Sequence, residues 1–212
     1  MTGSPLTAEI PRMTSNLRQL YRRHATVADR DTGLMWYPKA HRIVCDWAHT
    51  YDRSITNVAC VIAAVSPQID WPRNLIVADD ILAGRSPSVG GCLPANVCKA
   101  ERVRDERVST LLDIFPHGPK VNHFARNLAG DFSVVTVDSH GLQAALDDVL
   151  SIRTLRWSAY TAVASAYIRA AAQLALQPAD LQAIIWVTWK RLHPTAQKRQ
   201  SRRVWSGDLG EY

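Results

Sequence analysis

The spacing of apolar residues limits this chain to a helical fold. Apolar side chains recur every three or four residues through most of the sequence, as in Ala40, Ile43 and Trp47, and this is the period of an amphipathic helix. One run, residues 134–137, has β-strand character, but the rest of the chain offers no strand with which it could pair. We therefore predict an all-α protein in which this run is an extended, buried connection.

Proline and capping residues place the helix boundaries. Pro38 suits the first turn of a helix that continues to Tyr51, Ser54 or Thr56 begins a second helix, and Trp71 with the following proline opens a third. Further helices are predicted over residues 99–112, 120–129, 154–176 and 178–193, with a Gly-, Ser- and Pro-rich loop at 84–94 that is the best candidate for a mobile connection.

The amino-acid composition limits the number of domains, the partners and the location that we expect. The 212 residues, 47% of them hydrophobic, suffice for one domain or two small lobes, and the net charge of +6 favours a polyanionic partner. The four cysteines have neither zinc-type spacing nor a disulfide framework, so we expect no metal, no cofactor and a reducing, intracellular location. No apolar run reaches the roughly 18 residues of a membrane span, and we expect a monomer without a membrane partner.

The predicted organisation has three parts. Residues 1–35 form an N-terminal helical extension, residues 36–193 form the main domain, and residues 194–212 form a basic tail. Lysines and arginines between Trp189 and Trp205 suit either a segment that follows a phosphate backbone or a solvated terminus, and the sequence leaves both interpretations open.

The segment Pro116-His117-Gly118-Pro119-Lys120 forms a tight turn between two helices. Free backbone N–H groups at the start of the following helix bind anions such as a DNA phosphate. Lys120 opens that helix, where the positive end of the dipole disfavours a second positive charge, so its amine is a candidate nucleophile for a Schiff base. By itself, a lysine after such a turn is equally consistent with a solvated surface residue.

Asp138 precedes the next predicted helix, within Thr136-Val137-Asp138-Ser139-His140. Helix N–H groups favour its ionised carboxylate, which could stabilise positive charge at an anomeric carbon or take a proton from a nucleophile. An aspartate before a helix is also an ordinary N-cap, and spacing alone does not separate the two interpretations.

Four motifs occur in an order that resembles the helix-hairpin-helix DNA glycosylases. They are VIAAVSPQIDWPRN at residues 61–74, KAERV at 99–103, GPKVNHF at 118–124 and VTVDSH at 135–140. The resemblance, with the endonuclease III and 8-oxoguanine glycosylase branches, covers roughly residues 40–175. It implies two small helical lobes with a cleft between them, Lys120 as the Schiff-base lysine and Asp138 as the catalytic aspartate.

The same resemblance places Gln68 at the DNA around the extruded base. The full set of residues predicted to contact DNA or the base is Gln68, Asp70, Asn74, His117, Gly118, Asn122, Arg126 and His140. The base itself cannot be identified, because the pocket depends on which of the neighbouring aromatic rings and His140 line it.

The chain departs from the family pattern at two places. Pro116 replaces the first glycine of the usual hairpin, which weakens the backbone grip on a phosphate and shifts it towards His117, Asn122 or Arg126. No cysteine follows Cys98, so the iron–sulfur loop of many members is missing.

Three functions remain open at this stage. The first is a DNA glycosylase, with or without lyase activity, that flips a base and attacks its sugar through the Lys120 and Asp138 pair. The second is a transferase similar to the thymine pyrophosphorylases and amino-acid:DNA transferases of viruses that hypermodify their thymines. The third is a noncatalytic nucleic-acid-binding protein that retains the fold.

Overall fold

A computed structural model of the chain describes residues 6–105, 118–149 and 157–194, and within these ranges the only regular secondary structure is helical. The helices are α1 Ile10–His24, α2 Val27–Thr50, α3 Ile55–Val65, α4 Trp71–Leu82, α5 Pro94–Asp105, α6 Pro119–Leu128, α7 Ser139–Leu146, α8 Trp157–Leu174 and α9 Pro178–Leu192. The all-α prediction is therefore confirmed. No helix of these ranges is long and apolar enough to cross a membrane.

Capping explains both the correct and the incorrect boundaries. Ser54 and Asp70 cap α3 and α4 where the sequence predicts it. The predicted start of α2 at Pro38 was wrong, because α2 begins at Val27 and carries Pro38 in its interior. Thr26 and the third residue of the helix form a reciprocal capping box that starts α2 earlier, although a proline inside a helix removes one backbone hydrogen bond.

The N-terminal helix is part of the folded body. The predicted boundary between residues 35 and 36 falls within the continuous helix α2. The buried side of α1 carries Met13 and Leu17, both fully inaccessible to solvent, and this helix packs against α7 and α8. The first helix therefore supplies core residues.

Two hydrophobic clusters divide the buried residues. The first is formed mainly by α2, α3, α4, α5 and α6, and the second by α1, α7, α8 and the connection before α7. That connection carries the buried residues Val135, Thr136 and Val137 without regular secondary structure, which confirms that the run is a buried connection.

Helix α9 contributes to both clusters. Ala179 and Ala183 lie in the first, whereas Leu181 and Ile185 lie in the second. Helix α9 also packs along α2, where a Cβ placed on Gly33 would lie only 2.5 Å from a backbone carbon of α9. Glycine is thus required for the close approach of these two helices.

The loop after α4 is fastened to a buried carboxylate. Asp80 accepts hydrogen bonds from the Ser88 backbone nitrogen and hydroxyl, at 2.7 and 2.6 Å, and from Arg85 Nε at 3.0 Å. The hydrogen bonds from Ser88 are the main cause that holds the pKa of Asp80 below its ordinary value. The loop predicted over residues 84–94 is confirmed up to Pro94, where α5 begins, and it is tied to the body through Asp80.

Several predictions fall on residues outside the described ranges. These are the part of the hairpin that contains Pro116 and His117, the helical pattern beyond Asp105, the start proposed at Thr154, and residues 195–212 of the basic tail.

Candidate functional site

Asp138 is the N-cap of α7, as predicted, and both of its carboxylate oxygens accept hydrogen bonds. Oδ1 accepts from the backbone nitrogen of Gly141 at 2.7 Å, and Oδ2 accepts from Nε1 of Trp186 at 3.1 Å. These two bonds fix the orientation of the carboxylate. Because Asp138 is half-buried, its charge still reaches solvent.

Three buried tyrosines surround this carboxylate. Burial, together with the charge of Asp138, raises the pKa of Tyr37, Tyr160 and Tyr167 well above that of a free phenol. Their hydroxyls therefore stay protonated and act as hydrogen-bond donors. Tyr167 donates to the Gly141 carbonyl at 3.1 Å, in the first turn that Asp138 caps.

The hydroxyl of Tyr160 organises the connection before Asp138. It donates to the Val135 carbonyl at 2.8 Å and accepts from the Val137 nitrogen at 3.1 Å. Nδ1 of His123 also lies 3.0 Å from the Val135 carbonyl, and this nitrogen carries the proton because a carbonyl only accepts. Burial lowers the pKa of His123, so the ring is held in its neutral form.

Helix α9 places a cation beside the same carboxylate. Nζ of Lys190 lies 3.9 Å from the ring centroid of Trp186, whose indole N–H is bonded to Asp138. Burial lowers the pKa of Lys190, and the nearby negative charge of Asp138 offsets part of this effect. We define the Asp138 site as Asp138, Trp186 and Lys190 with the three tyrosines around them.

Lys120 is an exposed residue that forms no hydrogen bond with Asp138 in the described part of the chain. It is the second residue of α6 and follows Gly118, an N-cap with no side-chain capping bond. Within the described ranges, no ion pair joins Lys120 to Asp138. The structure thus brings Asp138 together with Trp186 and Lys190 rather than into a salt bridge with Lys120.

The predicted DNA-contacting residues near α4 have different environments. Gln68 is exposed, with a left-handed φ of 71°, in the turn before α4. Asp70 caps α4 by accepting from the Arg73 nitrogen at 3.0 Å. Asn74 is only 2% exposed, and its Oδ1 is buried with no hydrogen-bond partner.

The predicted DNA-contacting residues around α6 and α7 also differ in whether their side chains have hydrogen-bond partners. Nδ2 of the buried Asn122 has no hydrogen-bond partner, and neither has Nδ1 of the half-buried His140. Arg126 is paired with Asp131, to which its Nε donates at 2.9 Å. Of these side chains, Asn122 and His140 retain unused hydrogen-bonding groups, whereas Arg126 is already engaged.

Four of the aromatic residues singled out in the sequence form one cluster. The ring centroid of Trp36 lies 4.7 Å from that of Tyr37, 5.3 Å from that of Trp71 and 6.1 Å from that of Phe124. Trp36 and Trp71 are only half-buried, so part of each ring faces solvent. The cluster reaches the Asp138 site through Tyr37, whose hydroxyl donates to Gln182 on α9 at 2.8 Å.

Sequence reasoning missed the contribution of α9. Trp189 and Lys190 follow Trp186 by three and four residues, so these three lie on one side of α9, and Trp189 is four residues before the C-cap His193. Trp189 Nε1 donates to Gln143 of α7 at 3.4 Å, and its ring centroid lies 4.1 Å from that of His193. This spacing of aromatic and basic residues was the signal available in the sequence.

Comparison with known proteins gives one match. A family of unknown function, DUF7178, matches residues 4–193. Neither the curated proteins nor the solved structures gave a match.

In the part of the chain that the structure describes, no group of three or more His, Cys, Asp or Glu side chains is arranged to hold a metal ion.

Proposed function

The chain belongs to DUF7178, a family of unknown function, and from its own residues we propose that it is a DNA glycosylase that acts on a base turned out of the double helix. The observation that carries this proposal is the Asp138 carboxylate, held by two N–H donors and still half-exposed beside aromatic side chains. Breaking an N-glycosidic bond develops positive charge at the anomeric carbon, and a fixed carboxylate stabilises that charge.

Two further features support a nucleic-acid substrate. The net charge of +6 favours binding to a polyanion. The half-buried rings of Trp36 and Trp71 offer flat surfaces on which an extruded base could stack. In this proposal the two clusters flank a cleft that receives the base, and exposed Gln68 approaches the DNA from the turn before α4.

In the proposed reaction, the nucleophile that attacks the anomeric carbon of the sugar is an amine. The resemblance to helix-hairpin-helix glycosylases assigns this role to Lys120, at the start of α6. Attack on the anomeric carbon would release the base and leave an enzyme–sugar Schiff base, which borohydride reduces to a stable secondary amine.

The proposal is tested by incubating the protein with duplexes that carry damaged or abasic nucleotides, with and without borohydride. We expect release of a free base and a trapped protein–DNA adduct. Asp138→Asn should lower the rate of base release by about 100-fold or more, because the charge at the anomeric carbon loses its stabilising carboxylate. Asp147→Asn is the matched control, since Asp147 is exposed at the other end of the same short helix and asparagine tolerates its left-handed φ of 56°.

Mass spectrometry of the nucleosides separates the proposal from the two other functions. A free base supports a glycosylase. A heavier but intact nucleoside would overturn excision and indicate a base-modifying transferase. Binding without any change in the nucleosides, across a broad lesion panel and in phage-type hypermodified DNA, would indicate a noncatalytic nucleic-acid-binding protein.

A further inference from the structure

We propose that Lys190 is the amine nucleophile of the Asp138 site and forms an imine with the aldehyde carbon of the substrate. This inference rests on the proposed function, in which the aldehyde is the open-chain form of an abasic deoxyribose. It assigns to α9 a reactive residue that the family resemblance does not contain.

The indole of Trp186 contacts both the amine of Lys190 and the carboxylate of Asp138. The Trp186 ring lies beneath Nζ of Lys190 at 3.9 Å, and its N–H donates to Oδ2 of Asp138 at 3.1 Å. Amine and carboxylate therefore contact the same side chain, on one side of α9 and at the capped start of α7. Lys190 is half-buried, so part of its side chain is exposed to solvent.

The environment favours the reactive form of this amine. Only a neutral amine attacks a carbon atom, and burial disfavours the ammonium form. Burial lowers the pKa of Lys190 despite the opposing charge of Asp138. Within the described ranges, no ion pair ties Lys190 to a carboxylate, whereas the adjacent Arg191 is fixed by Asp29 at 2.8 Å.

Imine formation is a condensation that releases one molecule of water. The neutral Nζ of Lys190 forms a bond to the aldehyde carbon, and the Asp138 carboxylate takes a proton from the nitrogen. The protonated carboxyl group gives that proton to the former aldehyde oxygen, which completes the carbinolamine. The carboxylate then takes the second proton from the nitrogen and transfers it to the hydroxyl group, which leaves as water while the carbon–nitrogen double bond forms. No oxidant, reductant or metal is consumed.

The first experiment traps the wild-type protein on a duplex with a single abasic site by borohydride and maps the adduct by peptide mass spectrometry. Modification of Lys190 blocks tryptic cleavage between residues 190 and 191, whereas modification of Lys120 blocks cleavage between residues 120 and 121. We expect the adduct on Lys190. An adduct on Lys120 alone would overturn the inference and leave the proposed function standing.

Two variants show how strongly borohydride trapping depends on Lys190. Lys190→Arg keeps a cation over the Trp186 ring but cannot form an imine, so trapping should fall roughly tenfold or more. Lys39→Arg, at an exposed position of α2, is the control and should trap within about twofold of wild type. Wild-type trapping by Lys190→Arg would overturn the inference, and thermal unfolding checks that both variants remain folded.

A probe without DNA distinguishes failure of this inference from failure of the proposed function. The folded protein is treated briefly at neutral pH with glyceraldehyde and cyanoborohydride, and modified lysines are mapped. We expect Lys190 to be alkylated faster than Lys120. If DNA gives no adduct but Lys190 is alkylated first, the proposed substrate is wrong and the reactive amine stands. If Lys190 is not alkylated ahead of Lys120, the inference is wrong.

Discussion

Replacing Gly33 by alanine tests whether α2 and α9 are held together by direct backbone contact. The added Cβ would lie 2.5 Å from Cα of Ile184 and 2.6 Å from its backbone nitrogen, and no side-chain rotation can relieve these contacts. Ordinary carbon contact begins near 3.5 Å, so the two helices must separate by about 1 Å. Such a separation would open the packing where α9 contributes to both hydrophobic clusters.

Two effects of opposite sign determine the change in the free energy of unfolding. Alanine inside a helix is about 1 kcal/mol more favourable than glycine. Overpacking a filled interface costs about 1–3 kcal/mol, and the upper end applies here because two of the three close atoms belong to the backbone. We therefore expect a net loss of about 2 kcal/mol, which for a protein of this size lowers Tm by about 4–8 °C.

Urea unfolding followed by tryptophan fluorescence measures this change, with thermal unfolding as a second probe. Thr32→Ala is the control, because Thr32 is exposed on the same helix and the substitution brings a gain in helix propensity without a contact. If Gly33→Ala instead stabilised the protein by about 1 kcal/mol, helix propensity alone would account for the result. The two helices would then not touch at this position, and the reasoning would be refuted.

Three further predictions concern the ion pairs, the loop and the thiols. Burial tends to raise the pKa of Asp29, but hydrogen bonds from Arg191 and Thr26 together outweigh burial and hold this pKa below its ordinary value, so the stability that Asp29 contributes is lost as pH falls through the folded-state pKa. Arg191→Met should therefore flatten the fall of Tm between about pH 5 and pH 3. Ser88→Ala should speed proteolysis in the loop after α4, since the buried carboxylate loses a hydroxyl donor. Exposed Cys98 should react with iodoacetamide before Cys60, because burial raises the pKa of Cys60 to about 12, and peptide mass spectrometry gives the order.

Each of these predictions has a control on the same segment or residue type. Asp31→Asn, at an exposed position of α2, should leave the dependence of Tm on pH unchanged, whereas a curve for Arg191→Met parallel to wild type would contradict the role of the ion pair. Ser86→Ala, at an exposed position in the same loop, should not change the cleavage rate. Alkylation of Cys60 as fast as Cys98 would show that α3 opens readily.

Rules for helix capping and for proline predicted the structure correctly where the deciding residues lie close together in the sequence. The start of α4 was predicted from Trp71 and the proline that follows it, and Asp138 was recognised as a cap from its place before the next helix. The β-like run before Asp138 was correctly predicted as a buried connection because no partner strand exists for it in the sequence.

Local rules failed where tertiary packing decides. Pro38 suggested a helix start, yet α2 continues through it, because the capping box at Thr26 and the packing of α2 on α9 outweigh one lost hydrogen bond. The neighbours of Asp138 could not be predicted either. Trp186 is 48 residues away in the sequence, and only the fold brings its indole to the carboxylate.

The position of α9 has a consequence for synthesis of the protein. The helix supplies buried residues to both hydrophobic clusters, and the other helices of residues 6–105, 118–149 and 157–194 precede it in the chain. While the ribosome is still translating the codons for residues 178–192, each cluster exposes the apolar surface that α9 later covers. Neither half can therefore finish folding ahead of the other, and the nascent chain depends on rapid closure, or on a chaperone, at the moment α9 emerges.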